Sequence, residues 1–127
     1  VSEIVLDPSL PEECLDGLDA FSHAEIIFWF HLVDERDIVY GVRHPRENTG
    51  WPKIGIFAQR GRLRLNRLGL TVVRILWREA RSLFVEGLDA VDGTPVLDTK
   101  PAMEEFLPAG PIALLVGLPG RRTALGT

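Results

Sequence analysis

A chain of 127 residues is the size of one ordinary domain, able to bury about two-thirds of its unfolded surface without a staple. Apolar residues at 46% and charged residues at 25% are the balance of a soluble globular protein, while 12 glycines and 9 prolines favour short strands and turns over long helices. A net charge of −4 argues against a dedicated nucleic-acid binder, and the single cysteine, Cys14, excludes an internal disulfide and a cysteine-based zinc site.

Residues 2–6 are a strand candidate, ended by Asp7-Pro8. Residues 11–15 (PEECL) predict one or two helical turns, with proline at the first position and acids in the first turn. The apolar run 24–33 (AEIIFWFHLV) fits a buried strand or a buried helix by periodicity. Its β-branched and aromatic residues favour the strand. Residues 36–51 are polar and broken by Pro45 and Gly50, so a loop is expected. Residues 53–59 (KIGIFAQ) read as another strand, and 60–67 as a basic connection. Residues 68–76 are apolar at both parities, as in a strand of a closed barrel or sandwich core. A second strand, 82–91, should pair with it as a hairpin turning near Glu79-Ala80-Arg81. Asp92-Gly93-Thr94-Pro95 predicts a turn, followed by a short extended piece, 96–98.

Beyond Pro101 the rhythm is lost among Pro108, Pro111 and Pro119. Residues 112–118 suggest an interface strand, too short to span a bilayer, which needs about 20 apolar residues. No repeat or linker interrupts the chain, so the expectation is one domain over residues 1–127 with a proline-broken tail at 102–127. Charge is unevenly spread. Residues 1–25 hold seven acids and no Lys or Arg, whereas 60–81 hold seven arginines against Glu79 alone. Only the basic middle could face phosphate. The acidic start has no basic n-region, so no signal peptide is expected, and the opening at Val1 leaves room for a native start upstream. With one cysteine and no apolar span, a cytoplasmic protein without membrane contact is expected.

Four segments then become familiar in order and spacing: residues 18–23 (LDAFSH) leading into FWFH, 55–60 (GIFAQR), 66–71 (NRLGLT) and 87–101 (GLDAVDGTPVLDTKP). Over about residues 1–101 the chain resembles the TsaA-like family, which includes tRNA methyltransferases of the TrmO type. The resemblance implies a mainly β fold, a small β-barrel with one or two short helices, commonly a homodimer. It also implies S-adenosyl-L-methionine as cofactor, bound at the barrel and dimer interface. The implied reaction is N6-methylation of threonylcarbamoyladenosine beside the anticodon of tRNA, or of a related adenosine. By matched position, the cofactor-binding candidates are Phe30, His31, Arg60, Leu70, Glu86, Gly87, Leu88 and Asp89. The family usually carries a further strand and basic loop ahead of the segment that opens this chain. Its R-x-x-x-R-P-N-x-x-G pattern has Leu65 here in the proline's place, and Ala102 replaces the usual tyrosine after Lys-Pro.

The chemistry can be weighed residue by residue. S-adenosylmethionine needs an apolar slot, acceptors for its hydroxyls and ammonium, and a donor for its carboxylate. No Gly-rich dinucleotide fingerprint is present, which disfavours a Rossmann pocket. Arg60 could clasp a carboxylate or simply be a solvated strand end. His31 could bond the cofactor or move a proton, or be a half-buried histidine satisfied by backbone. Asp89 could accept from ribose or ammonium and, with His31, is a catalytic candidate for relieving the acceptor nitrogen of its proton. Asp92 fits a plain turn residue better, and Asp98 could cap or pair with Lys100. Arg62, Arg64 and Arg67 alternate with leucines, which suits a phosphate track or a charged edge strand. Trp29, Trp51 and Trp77 could stack on a base, although core or interface is the commoner use. His23, His31 and His44 lack metal-ligand spacing, so no metal is expected.

Two further functions compete with a methyltransferase. One is a non-catalytic S-adenosylmethionine-binding dimeric module, motivated by the absent leading strand and Leu65. The other is a structural dimerisation domain without a small ligand.

Overall fold

In the computed structural model, which describes residues 1–114, seven strands alternate with 3-10 turns of three or four residues. The contacts divide the chain into two compact units: Val1–Trp29 with Gly69–Leu107, and Phe30–Leu68 with the residues from Pro108 onward.

The first unit holds β1 (Ser2–Val5), β2 (His23–Trp29), most of β5 (Leu68–Glu79), β6 (Ser82–Glu86) and β7 (Val96–Pro101). They form one five-stranded sheet in the order β1-β6-β5-β2-β7, curled as a half-barrel. The mainly β, barrel-type fold expected from the resemblance therefore stands. Period-two burial explains the strands: Ala24, Ile26 and Phe28 of β2, Val73 and Ile75 of β5, and Leu83 and Val85 of β6 turn inward and are nearly inaccessible. Antiparallel pairing sets Ile4 opposite Leu83, Ile75 opposite Val85 and Ile26 opposite Thr99. Edge positions suit β1 and β7, the latter ending in Pro101, which cannot donate a ladder bond.

Two expectations are corrected here. Residues 68–76 are apolar at both parities, but only one face is buried: Leu70 and Val72 remain 46% and 51% exposed. Apolar composition cannot distinguish a twice-covered strand from one with an uncovered face. The second strand of the hairpin stops at Glu86 rather than reaching residue 91. Gly87 at φ 95 leaves the extended region there. The hairpin itself turns through Ala80 and Arg81, with Glu79 opposite Ser82. An extra residue interrupts the register between Ile75 and Trp77. That bulge turns Trp77 to the exposed side, where its ring stacks on Phe84 at 4.6 Å.

The second unit is mostly irregular. Its only strands among the described residues are the two-residue β3 (Val42–Arg43) and β4 (Ile54–Gly55), paired antiparallel. Val33, Ile38, Pro45 and Ile56 are its buried residues. The strand expected at 53–59 reduces to β4, and Ile56–Ala58 is a 3-10 turn. The β-favouring side chains are overridden by a local turn, closed by the Gln59 N–H on the Ile56 carbonyl at 3.3 Å, with Ile56 buried and Phe57 exposed. The run 24–33 likewise ends as a strand at Trp29, and Phe30 to Val33 form a turn closed by the Val33 N–H on the Phe30 carbonyl at 3.2 Å. Residues 112–114 are not a strand, and the rest of the interface segment expected at 112–118 lies outside the described residues. No helix among the described residues is long and apolar enough to cross a membrane.

Candidate functional site

The candidates divide between the two units. Leu70 and Glu86 to Asp89 belong to the first. Glu86 ends β6, exposed and opposite Arg74 on β5. There the ladder stops, and Gly87 directs the chain into an irregular segment in which Leu88 is half-buried and Asp89 exposed. Leu70 projects from the uncovered face of β5. Its neighbour Gly69 is buried, and a Cβ there would lie 2.5 Å from the Phe28 ring. The glycine in NRLGLT is thus required by a side chain packed across it from β2.

Asp92 lies in the turn expected of it, and Asp98 makes a local backbone contact. The Asp92-Gly93 turn has Gly93 at φ 81 and is closed by the Thr94 N–H on the Val91 carbonyl at 3.2 Å. Asp98 accepts the Thr99 N–H at 2.8 Å and is exposed on β7.

The second unit holds Phe30, His31, Arg60, Arg62, Arg64 and Arg67. Phe30 and His31 are half-buried in the turn after β2. Arg67 organises that turn: its carbonyl accepts the Phe30 N–H at 2.7 Å, and its guanidinium donates to the Val33 carbonyl at 3.2 Å. The Arg67 backbone is left-handed, φ 53, which sets both bonds at once. Arg64 donates to the carbonyls of Gln59 and Gly61. Residues 60–67 are the connection expected, not a charged edge strand, and Arg64 and Arg67 direct their guanidinium groups to backbone. Arg60 and Arg62 are exposed.

Residues that sequence reasoning passed over support this loop. Gln59 donates to the carbonyls of Arg43 (3.1 Å) and Ile54 (3.0 Å), locking the end of the β3–β4 pair one residue before Arg60. His44, weighed earlier only as a metal ligand, donates through Nδ1 to the Trp51 carbonyl at 2.7 Å. Neither has a periodic signal; the motif GIFAQR marks Gln59 only by adjacency. Asp34 accepts from the Arg36 side chain at 3.1 and 2.9 Å and from its N–H, which holds this exposed carboxyl below the usual carboxylate range, with Arg67 a lesser cause. Among the described residues no group of three or more His, Cys, Asp or Glu gathers where it could hold a metal ion.

Taken one unit at a time, the second offers the exposed guanidinium of Arg60, a group that can pair with a carboxylate, and the first offers the exposed carboxylates of Glu86 and Asp89, groups that can accept from hydroxyls or an ammonium.

Comparison with known proteins shows the family. The family described as the tRNA-methyltransferase O N-terminal domain matches residues 1–106. A mouse tRNA (adenine(37)-N6)-methyltransferase is 38% identical over 96 residues, covering 76% of this chain and 22% of the mouse protein. A protein of Methanothermobacter thermautotrophicus, named a probable S-adenosyl-L-methionine-binding protein, is 38% identical over 105 residues, covering 83% of this chain and 72% of that one. The crystal structure of TrmO from Pseudomonas aeruginosa superposes with a TM-score of 0.70 at 31% identity, covering 93% of this chain and 49% of TrmO. The chain thus spans about a fifth of the mouse relative and about half of TrmO.

Proposed function

Because the chain belongs to the tRNA-methyltransferase O N-terminal domain family, we propose that it binds S-adenosylmethionine and transfers its methyl group to N6 of an adenosine beside the anticodon of tRNA. The observation that carries this is the family match across residues 1–106, which includes every cofactor candidate. Relatives named for the tRNA reaction and for S-adenosylmethionine binding support the two halves of the proposal.

When bound, S-adenosylmethionine supplies a methyl group made electrophilic by its sulfonium. Arg60 would hold the carboxylate bidentately, and Glu86 and Asp89 would accept from the ribose hydroxyls and the ammonium. Phe30 and Leu70 would cover apolar surface. Either His31 Nδ1 or Nε2, or the Asp89 carboxylate, would take the proton that the acceptor nitrogen sheds. Positioning supplies most of the rate, because the leaving group needs no activation.

Calorimetry tests the first half. Micromolar binding of cofactor and of its demethylated product is expected, and Arg60→Ala should weaken it about ten- to a hundredfold, the worth of one charge-assisted contact. A folded wild-type protein giving no heat with either ligand overturns the proposal. Mass spectrometry of tRNA nucleosides after incubation tests the second half. Binding without methylated adenosine would favour a non-catalytic S-adenosylmethionine-binding module, a reading supported by the relative named only for binding.

A homodimer in the cytoplasm completes the proposal. The dimer is supported by the exposure of Leu70 and Val72, and of Trp77 beyond the exposed Arg74, along β5.

A further inference from the structure

The loop between β3 and β4 contains a construction that the cofactor assignments above leave unused. Arg46 and Glu47 both occupy the left-handed region, at φ 53 and 58. A Cβ resists that conformation, and two such residues in succession are held only where their surroundings over-determine them. The bonds that hold them are local. The Glu47 N–H reaches the His44 carbonyl at 3.1 Å and the Asn48 N–H the Pro45 carbonyl at 3.0 Å. Arg43 pairs with Glu47 at 3.5 Å, and His44 Nδ1 ties down the Trp51 carbonyl. Asn48 accepts the Gly50 N–H at 2.9 Å, shaping the return to Trp51.

What this backbone presents is a guanidinium over an indole. Arg46 Cζ lies 5.9 Å from the Trp51 ring centroid, with Arg46 exposed and Trp51 half-buried. That distance is the outer limit of cation–π attraction, and the two planar groups lie side by side on the left-handed loop. The segment that carries the pair is basic along the chain. Residues 38–68 carry seven Lys or Arg against one acid, Glu47, and that acid is paired with Arg43, whereas the whole chain is at −4.

We propose that Arg46 and Trp51 form a stacking platform for an unpaired nucleobase of the RNA acceptor. This rests on the tRNA reading above and goes beyond it by naming where the RNA loop is gripped. Bases splayed from an RNA loop stack on aromatic faces and on arginine planes, and a basic surround neutralises the adjoining phosphates. Indole and guanidinium are both planar π surfaces, so the platform recognises an unstacked base, not a phosphate alone and not a paired duplex.

The test uses the whole chain and a 17-nucleotide stem–loop RNA with a seven-nucleotide loop, read by fluorescence anisotropy. Trp51→Ala should weaken binding about tenfold or more, with Trp51→Phe restoring most of it and Arg46→Ala intermediate. Loop nucleotides are then replaced singly by abasic sites. At one position the wild type should lose about the same factor, and Trp51→Ala should lose nothing further, since both changes remove one contact. S-adenosylmethionine affinity should not move in any of these variants. Arg46→Ala, an exposed change, decides the matter if Trp51→Ala fails to fold. The platform is overturned if the wild type binds the stem–loop and neither Trp51→Phe, Trp51→Ala nor Arg46→Ala alters the affinity, or if every abasic site is neutral; the tRNA reading then survives. If the wild type binds the cofactor but no RNA, both fall.

Discussion

Gly69 shows how much one residue can decide. Its backbone is not left-handed; what excludes a side chain is the Phe28 ring, 2.5 Å from where a Cβ would stand. Gly69→Ala should therefore destabilise the fold by about 1–3 kcal/mol, the usual cost of overpacking. Phe28→Leu should cost less in the Gly69→Ala background than alone, and chemical denaturation of the four-protein cycle checks this. A cycle that adds within about 0.5 kcal/mol would refute the contact. Asp7 offers a second test at this scale. Its carboxylate accepts from the Ser9 hydroxyl at 2.6 Å and the Ser9 N–H at 2.8 Å, and these bonds hold it below the ordinary carboxylate pKa, Arg81 adding a little. A depressed carboxylate contributes stability that is present above its unfolded pKa and lost as pH falls through the folded one. Ser9→Ala should raise the Asp7 titration midpoint seen by NMR and lessen the dependence of stability on pH on the acid side.

The hairpin β5–β6 is the element on which the first unit is assembled. Arg78, on β5, donates to Asp16 at 2.7 Å and to the Glu12 carbonyl at 3.1 Å, while Arg81, in the turn, donates to the carbonyls of Asp7 (2.7 Å) and Leu10 (2.6 Å). The hairpin end thereby holds the acidic segment between β1 and β2, which explains part of why five acids are tolerated there. These four bonds consume two of the arginines that make residues 60–81 look like a nucleic-acid strip. The turn itself is imperfect, since Ala80 sits at φ 50. An alanine in that region costs about 1–2 kcal/mol and glycine pays back some of it in entropy, so Ala80→Gly should stabilise by about 0.5 kcal/mol. A lower denaturation midpoint for Ala80→Gly would mean the turn is not left-handed in solution.

At the scale of the whole molecule, charge follows the two units. Val1–Trp29 and Gly69–Leu107 together carry 14 acids against four Lys or Arg, whereas Phe30–Leu68 carries eight Lys or Arg against four acids. An overall charge of −4 hides a basic segment, Phe30–Leu68, with a balance of +4. Net charge alone therefore argues weakly against an RNA partner, because phosphate responds to local and not to summed potential. Assembly is tested at the same scale. Val72→Glu places a charge on the outward face of β5, at a position that is 51% exposed. It should convert a dimer to a monomer in sedimentation velocity at micromolar concentration, with the melting curve of the monomer still cooperative. An unchanged sedimentation coefficient would show that this face is not the dimer contact.

The chain's own letters determined the mainly β class, the hairpin after β5, the Asp92-Gly93 turn and the family, because each depends on local alternation, on turn-forming residues or on a motif such as NRLGLT. They could not tell that β5 leaves Leu70 and Val72 uncovered, that residues 56–58 turn instead of extending, or that Arg64, Arg67, Arg78 and Arg81 are engaged with backbone carbonyls. Those outcomes turn on which groups meet in space, whether 5 residues apart, as Arg64 and Gln59, or 74, as Arg81 and Asp7, and periodicity reports only the alternation along the chain. Gln59 and His44 belong with them: a side chain that caps a distant carbonyl looks, in one dimension, like any other polar residue.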